Sequence, residues 1–566
     1  MRSTFAGLNT MVRGIQNNQL SLDTVGHNIT NASTEGYSRQ RVDSAATNYQ
    51  QRPSLYGGVY VGGGVDVVAL NRARDIYADK QYWSENSTQH LYKTYKTNYD
   101  KVETVFNDAK KTGILNAMQQ FYSSWVNLSD YASDAASRTS VLTKGNNLVD
   151  RIKTGARQLQ DQIAAQYDEM RTQLDKVNSL TEEIARLNNN IMLAEATSGR
   201  ANDLRDQRDL MVDRLSEITN VNVYEEANGQ YTVVSNGLTL VQRDSRLTLA
   251  MSEPIHNVQY GISDYTIRVV EAGGINYIPQ GGILKALQDT IVQDKGHIDD
   301  LANISATLLT TFNDVHKLGA GIDTDATSWL NFFGRNAFHS NETGSNYTGE
   351  RYSWEVDPIT GDRWLRATAQ NVTRTTSAGT TTVTRVDTSN AADIHDLRSM
   401  QIINRLKVSD ELTAPGGQNL IAARQIEHAN TSVPGSYSYA VADINGTGDG
   451  TNAVELSKLF NIDQAGTLNP AGTERPIKTV SINQYYSGIM SRLGANAENV
   501  DRKLKQQDDL MTQIEQWRQS TAGVDWNEEL SNMLKFQTGY GACSRVLTSM
   551  DEMLDRLINS TGVVGR

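Results

Sequence analysis

A chain of 566 residues outgrows a single hydrophobic core, so about three or four domains are expected. A net charge of -12 and a pI near 5.3, with no run of Lys or Arg to track phosphates, argue against nucleic acid as a partner. The single cysteine excludes an intramolecular disulfide framework, the N-terminal MRSTFAGLNTMVRGIQNNQLSL lacks a secretory apolar segment, and no run of about 18 apolar residues offers membrane insertion, so a soluble chain is expected.

The first predicted element is a helix with a heptad stripe. Leu8, Ile15, Leu22 and Ile29 recur every seven residues, and Met11, Asn18 and Val25 supply a second seam position. Asn18 would either fix register in that seam or face a lumen. Turn formers follow in Asn31 to Tyr37 (NASTEGY), with Gly36 suited to end the helix. Gln40 to Ala69 reads as strand and loop, and its Gly62 to Gly64 lacks the context of a phosphate cradle. From Ile76 to Ile218 long helices are expected, with Val177, Leu180, Ile184, Leu187, Ile191 and Ala194 alternating steps of three and four along one face. Asn228-Gly229 and Asn236-Gly237 then mark two-residue hairpin turns of a β-meander reaching about Ile278. Helix returns to about Gly319, and Asp323 to Val480 reads as an inserted β-rich domain.

A helix from Ser481 to about Ser520 precedes a break at Thr521 to Val524, after which Asp525 and Glu528 resemble a capping box. The last helix carries two apolar rows: Met533, Tyr540, Leu547, Leu554, and Phe536, Cys543, Met550, Leu557. These rows suit either a coiled coil or an ordinary amphipathic bundle helix. Cys543 lies on the seam as a small apolar side chain rather than a nucleophile, since no motif supplies a base. Gly7, Gly14, Gly26, Gly539 and Gly541 each cost about 1 kcal/mol against Ala, so the terminal helices should draw stability from partners and stay mobile in the monomer; the glycines also permit close helix approach.

The expected fold class is mixed α and β and multidomain. Residues 1–40 plus 525–566 form a terminal α-helical coiled-coil domain, 41–322 plus 481–524 a long-helix bundle with a β-meander, and 323–480 an inserted β-rich domain. Catalytic chemistry finds little footing. His27, His90, His256, His297, His316, His339, His395 and His428 are scattered without HExxH, and no GxSxG is present. DINGTGDG at Asp443 to Gly450 alternates oxygen ligands but lacks the Glu that closes a calcium loop, so a β-turn is the simpler reading. Tyr352, Trp354 and Trp364 are either sheet core or, on an alternative adhesin reading, an exposed ligand-binding patch.

Several segments resemble one family, the axial proteins of the bacterial flagellum. SLDTVGHNITNASTEGYSRQRV, Ser21 to Val42, is similar to the rod and hook signature, its GYSRQ ending being the form typical of the hook-associated branch. VALNRARDIYADKQYW, NDLRDQRDLMVDRLSEI, FNDVHKLG and the closing Gly523 to Gly562 resemble later segments, while in the insert only DGTNAVELSKLF looks familiar. The signature positions are Asn28, Asn31, Gly36, Tyr37, Ser38, Arg39 and Gln40. The resemblance implies a structural, non-enzymatic subunit with no cofactor or metal. It would be exported through the flagellar type III channel without a cleaved signal peptide and assembled outside the cell at the hook-filament junction. Implied partners are copies of itself in a ring, the hook protein, a second junction protein and a dedicated export chaperone. The assembly interface would be Leu8, Met11, Ile15, Leu22, Val25, Ile29 and the C-terminal rows, with Leu547, Met550, Leu554 and Leu557 held by the chaperone before secretion.

Overall fold

The computed structural model describes residues 6–47, 50–54, 57–106, 113–196, 199–336, 346–429, 436–461, 475–477 and 480–560. Helix α1 (Ala6–Asn31) leads into an antiparallel pair, β1 (Gln40–Ala46) and β4 (Val65–Arg72), with the hairpin β2 (Gln50–Ser54) and β3 (Gly57–Val61) between them. Four helices follow: α2 (Ile76–Phe106), α3 (Ile114–Asp130), α4 (Ala135–Glu195) and α5 (Asn202–Ile218). At 61 residues α4 spans roughly 90 Å. Its start is fixed by the Asp134 carboxylate accepting the Ser137 N–H at 2.8 Å. The apolar face anticipated near its end is buried at Val177, Ile184, Leu187 and Ile191, while Leu180 is half-buried against the core and Ala194 is exposed.

The β-meander is β5 (Asn222–Glu225), β6 (Tyr231–Ser235), β7 (Leu238–Gln242) and β8 (Ser245–Arg246), paired in chain order. Asn236 and Gly237, both at positive φ, form the expected two-residue turn. Asn228-Gly229 differs. Glu226 N–H binds Gln230 O, and Asn228 Oδ1 caps the Gln230 N–H, so the loop is longer and only Gly229 is left-handed.

Helix α6 (Gly282–Thr307) runs through one π-helical turn, Leu308–Phe312, into α7 (Asn313–Lys317). The insert holds an antiparallel sheet of Asn346–Val356, Arg363–Ser377, Thr380–Asp387, Ile394–Leu397 and Ser436–Ala440, together with the short helices α8 (Ser399–Arg405), α9 (Asp410–Thr413) and α10 (Thr451–Asn461). The chain returns through α11 (Ile482–Ala522), opened by a capping box at Ser481 and Gln484, and α12 (Trp526–Ser560). Helix α11 lies along α2, and α12 along α1.

Aromatic packing welds the insert to the bundle. Phe121 and Trp125 of α3 meet Phe312 of the π-turn, Phe332, Phe333 and Phe460 of α10 at ring separations of 5.4–5.8 Å. Tyr352 and Trp354, the aromatics of the adhesin reading, are 5% and 7% exposed and belong to this same core. Trp364 lies beside the guanidinium groups of Arg366 and Arg398, so these three rings offer no joint exposed patch. In DINGTGDG, Asp443 accepts the Ala440 N–H, and Asp449 accepts the N–H groups of Gln425 and Thr451. These carboxylates close turns and cap α10, which is why their spacing mimics a ligand loop.

Within the bundle, α2, α4 and α6 enclose a polar cage. Asn98, Gln162 and Gln166 donate amide N–H groups to the Asp294 carboxylate at 2.8–3.2 Å. Burial raises the Asp294 carboxyl to about 6 from an ordinary 3.8, the amide donors opposing it. The folded chain thus holds a proton that the unfolded chain has released, so this contribution is best below about pH 3.8 and is lost as pH rises through about 6. Asp294→Asn should therefore gain on the parent protein with rising pH. In urea titrations the difference should widen by on the order of 2 kcal/mol from about pH 4 to about pH 7. A difference that stays constant over that range would count against a carboxyl titrating there.

Candidate functional site

The two chain ends form one antiparallel helical hairpin. A Cβ at Gly7 would overlap the Met550 methyl, one at Gly14 would lie 3.0 Å from Cys543 Sγ, and one at Gly539 would lie 2.8 Å from Asn18 Oδ1. Farther along, Asn28 Nδ2 donates to Glu529 Oε2 at 3.1 Å. Residue numbers fall on one helix as they rise on the other, so the seam is registered along its length. Asn18 sits in this seam and donates its Nδ2 proton back to Gly14 O at 2.8 Å.

The contact line of α1 differs from the expected stripe. Ser21, Thr24, Val25 and Asn28 are buried, whereas Leu8, Met11, Ile15, Leu22 and Ile29 are only half-buried. Small residues let the backbones approach, which turns the bulkier row one position away toward the rim. On α12, Met533, Phe536, Cys543, Leu547, Met550 and Leu554 are half-buried, but Tyr540 is 40% exposed and stands outside the seam. Leu557 lies in α12 with its side chain outside the described residues, as does His339. Sequence reasoning missed the outward apolar residues of α12, Leu530, Leu534, Val546 and Met553, at 43–63% exposure. Their spacing of four, twelve and seven carries no clean heptad signal.

Below the hairpin, the signature residues build a joint. Asn28 Oδ1 accepts the Gln40 N–H at 2.9 Å and the Tyr37 hydroxyl at 2.8 Å, and Tyr37 also meets His27 Nδ1 at 2.9 Å. Asn31 donates back to His27 O within α1. Gly36 takes φ +79 with Leu210 side-chain atoms 3.1 Å from where a Cβ would stand, so a side chain there would be strained and crowded. Ser38 N–H and the Gln40 amide bind Asp206 and Asp203 of α5 at 3.0 and 2.8 Å. Arg39 reaches the other terminus, pairing with Glu528 and Glu529 at 2.7 Å each, while its N–H donates to Ala522 O. Glu528 is thereby taken from the capping box expected at Asp525. Asp525 still accepts the Asn527 and Glu528 N–H groups, so half of that motif forms. Burial, and then the Asp203 charge, push the Tyr37 phenol well above its usual range, which keeps it a donor.

Helix α5 anchors the joint with a carboxylate row at Asp206, Asp209 and Asp213. Arg72 binds Asp206 and Asp209 at 2.7 and 2.8 Å, and Arg74 binds Asp209 at 3.1 Å and Asp79 at 2.6 Å. From the returning chain, Arg518 binds Asp79 and Asp213 at 2.9 Å each. Burial raises the fully enclosed Asp209 carboxyl, but Arg74, Arg72 and Arg208 outweigh it and hold it below the usual range. The i, i+3, i+7 acid spacing in NDLRDQRDLMVD was legible, whereas its partners, far away in sequence, were not.

Among the described residues no group of three or more His, Cys, Asp or Glu could hold a metal, and no helix is long and apolar enough to cross a membrane. The arrangement joins elements and presents apolar helix faces. A helical bundle that pairs its two chain ends on a charged joint and leaves apolar helix faces uncovered has the build of a structural, packing class of protein.

Comparisons agree with that class. The family pattern described as "Flagellar hook-associated protein FlgK helical domain" matches residues 99–333, and "Flagellar basal body rod FlgEFG protein C-terminal" matches 516–560. Flagellar hook-associated protein 1 of Bacillus subtilis (strain 168) is 24% identical, covering 100% of both chains. Its counterpart of Salmonella typhimurium is 26% identical over 98% of this chain and 99% of that one. In fold, the structure of the flagellar hook junction protein FlgK from Burkholderia pseudomallei is similar with a TM-score of 0.54 at 18% identity, covering 78% of this chain and all of that one. Along its whole length the chain is thus similar to flagellar hook-associated protein 1.

Arg39→Ala would leave Glu529, 1% exposed, without its guanidinium. The hairpin should lose roughly 3 kcal/mol, the low end for breaking a buried pair because Arg39 is partly solvated. Hydrogen exchange should then speed up in α12 while α4 keeps its protection. Equal acceleration in both would show that the joint is not a separate cooperative unit.

Proposed function

We propose that this chain is a structural axial component of the bacterial flagellum that assembles outside the cell at the distal end of the hook and forms the hook-filament junction. The observation that carries this reading is the terminal hairpin, whose small-residue seam closes on itself while apolar side chains on its outer faces stay uncovered. Covering one such side chain is worth about 1.5–3 kcal/mol, so neighbouring copies in a ring would gain from packing on Leu530, Leu534, Val546 and Met553, flanked by the half-buried Leu8, Ile15, Leu22 and Ile29. Hook protein below and a second junction protein above are the proposed axial neighbours, and no catalytic role is assigned.

Export through the flagellar type III channel before folding fits a chain with one cysteine and glycine-bearing terminal helices. We assign the waiting form to an export chaperone that grips α12 at Leu547, Met550, Leu554 and Leu557. Met550 is the residue that faces Gly7 in the folded hairpin, so chaperone binding and α1 pairing would exclude one another. Release would then permit hairpin closure.

Deleting the gene should leave cells with hooks but no filaments and filament protein shed into the medium, as seen by electron microscopy and immunoblot. A chain lacking residues 525–566 should keep a folded bundle by circular dichroism yet fail to restore filaments. Normal filaments in either strain would refute the junction role.

A further inference from the structure

A cleft unrelated to the terminal hairpin lies between α2 and the edge strand β5. Its volume is about 340 Å³, at the small end of the range for ligand sites. One wall is the α2 face carrying Lys80, Ser84 and Ser87, the other is Asn220, Asn222 and Tyr224, and Gln280 closes one end. The Ser87 hydroxyl is the telling atom. Ser87 is 2% exposed and, among the described residues, its Oγ has no hydrogen-bond partner, which is costly unless something else fills the place. Gly281 keeps that space open, since a Cβ there would stand 2.5 Å from Ser87 Oγ.

Asn220 Oδ1 already accepts from the Ser235 hydroxyl and the Gln280 N–H, and the Thr88 hydroxyl donates to Ser84 O, but much of the remaining lining is uncommitted. Among the described residues the side chains of Ser84, Asn222 and Gln280 make no hydrogen bond and Lys80 enters no ion pair, while Trp83 is locked as floor by its 2.6 Å bond to Asp213. At the mouth the Tyr224 ring is 58% exposed, with Lys80 Nζ 5.9 Å from its centroid. No lining side chain is acidic.

We propose that this cleft binds a saccharide carrying an anionic group, such as a uronic acid residue. Amide and hydroxyl side chains donate and accept at once, which matches vicinal hydroxyls. An exposed phenol face suits the C–H face of a pyranose. The lone ammonium, unopposed by any acid, selects a carboxylate on the ring. A bare anion would use neither the ring nor the amide wall, and a cation finds no carboxylate. The site lies away from the helix faces assigned to assembly, so it stands or falls independently of the junction role.

Saturation-transfer NMR on the full chain tests this with methyl β-glucuronide, methyl β-glucoside and acetate as probes. Glucuronide should receive transfer at its ring protons, glucoside should bind more weakly, and acetate should displace neither. Tyr224→Ala should weaken glucuronide roughly fivefold, while Tyr224→Phe should retain it. Lys80→Gln should abolish the preference for glucuronide over glucoside without changing the thermal midpoint, since the side chain is exposed. Absence of transfer to both sugars, unchanged binding in Tyr224→Ala, or displacement by acetate would each overturn the proposal.

Discussion

Everything distal in this molecule is placed by three carboxylates on one face of a single helix. Asp206 and Asp209 of α5 are buried and Asp213 half-buried beside them, an arrangement that like-charge repulsion and desolvation would not tolerate alone. Arg72 and Arg74 arrive from the outgoing chain and Arg518 from the returning one, so both limbs are fixed to the same face. Such a network adds little net stability, since the charges must be stripped of water. Its value is positional: each arginine fits only where its acid stands, and the helices leaving the joint start side by side.

From that start, the hairpin solves a conflict between helix propensity and approach. Glycine and serine in the seam weaken each helix in isolation but allow contact too close for larger side chains. The bulky residues are displaced to the rim, where another surface can cover them. Weak single helices, a tight seam and uncovered outer faces therefore have one cause, and they fit the export and assembly proposed above.

The bundle and insert obey a different logic. Aromatic rings from α3, the π-turn and α10 share one core, so the inserted sheet is bound to the bundle by packing rather than linked by a tether. A smaller cluster around Val372, Val383, Tyr437 and Tyr439 supports the rest of the sheet. The insert and the bundle therefore share one hydrophobic core.

How much was legible follows from the range of each interaction. Periodicity and turn residues located the long helices, the meander, the helix start near Ser481 and the break before α12, because these depend on neighbours within a few residues. The signature around Asn28 and Gln40 was visible as a motif, and the terminal rows as repeats. Sequence could not say that Gly7, Gly14 and Ser21 rather than Leu8, Ile15 and Leu22 face α12, since a heptad read one residue aside is equally periodic and only the partner helix chooses between them. Nor could it join Arg39 to Glu529, Arg518 to Asp213, or a partnerless Ser87 to Asn222 across a cleft. The sequence by itself determined the elements and their order; the tertiary structure decided which faces meet, because contact between residues hundreds of positions apart leaves no local trace.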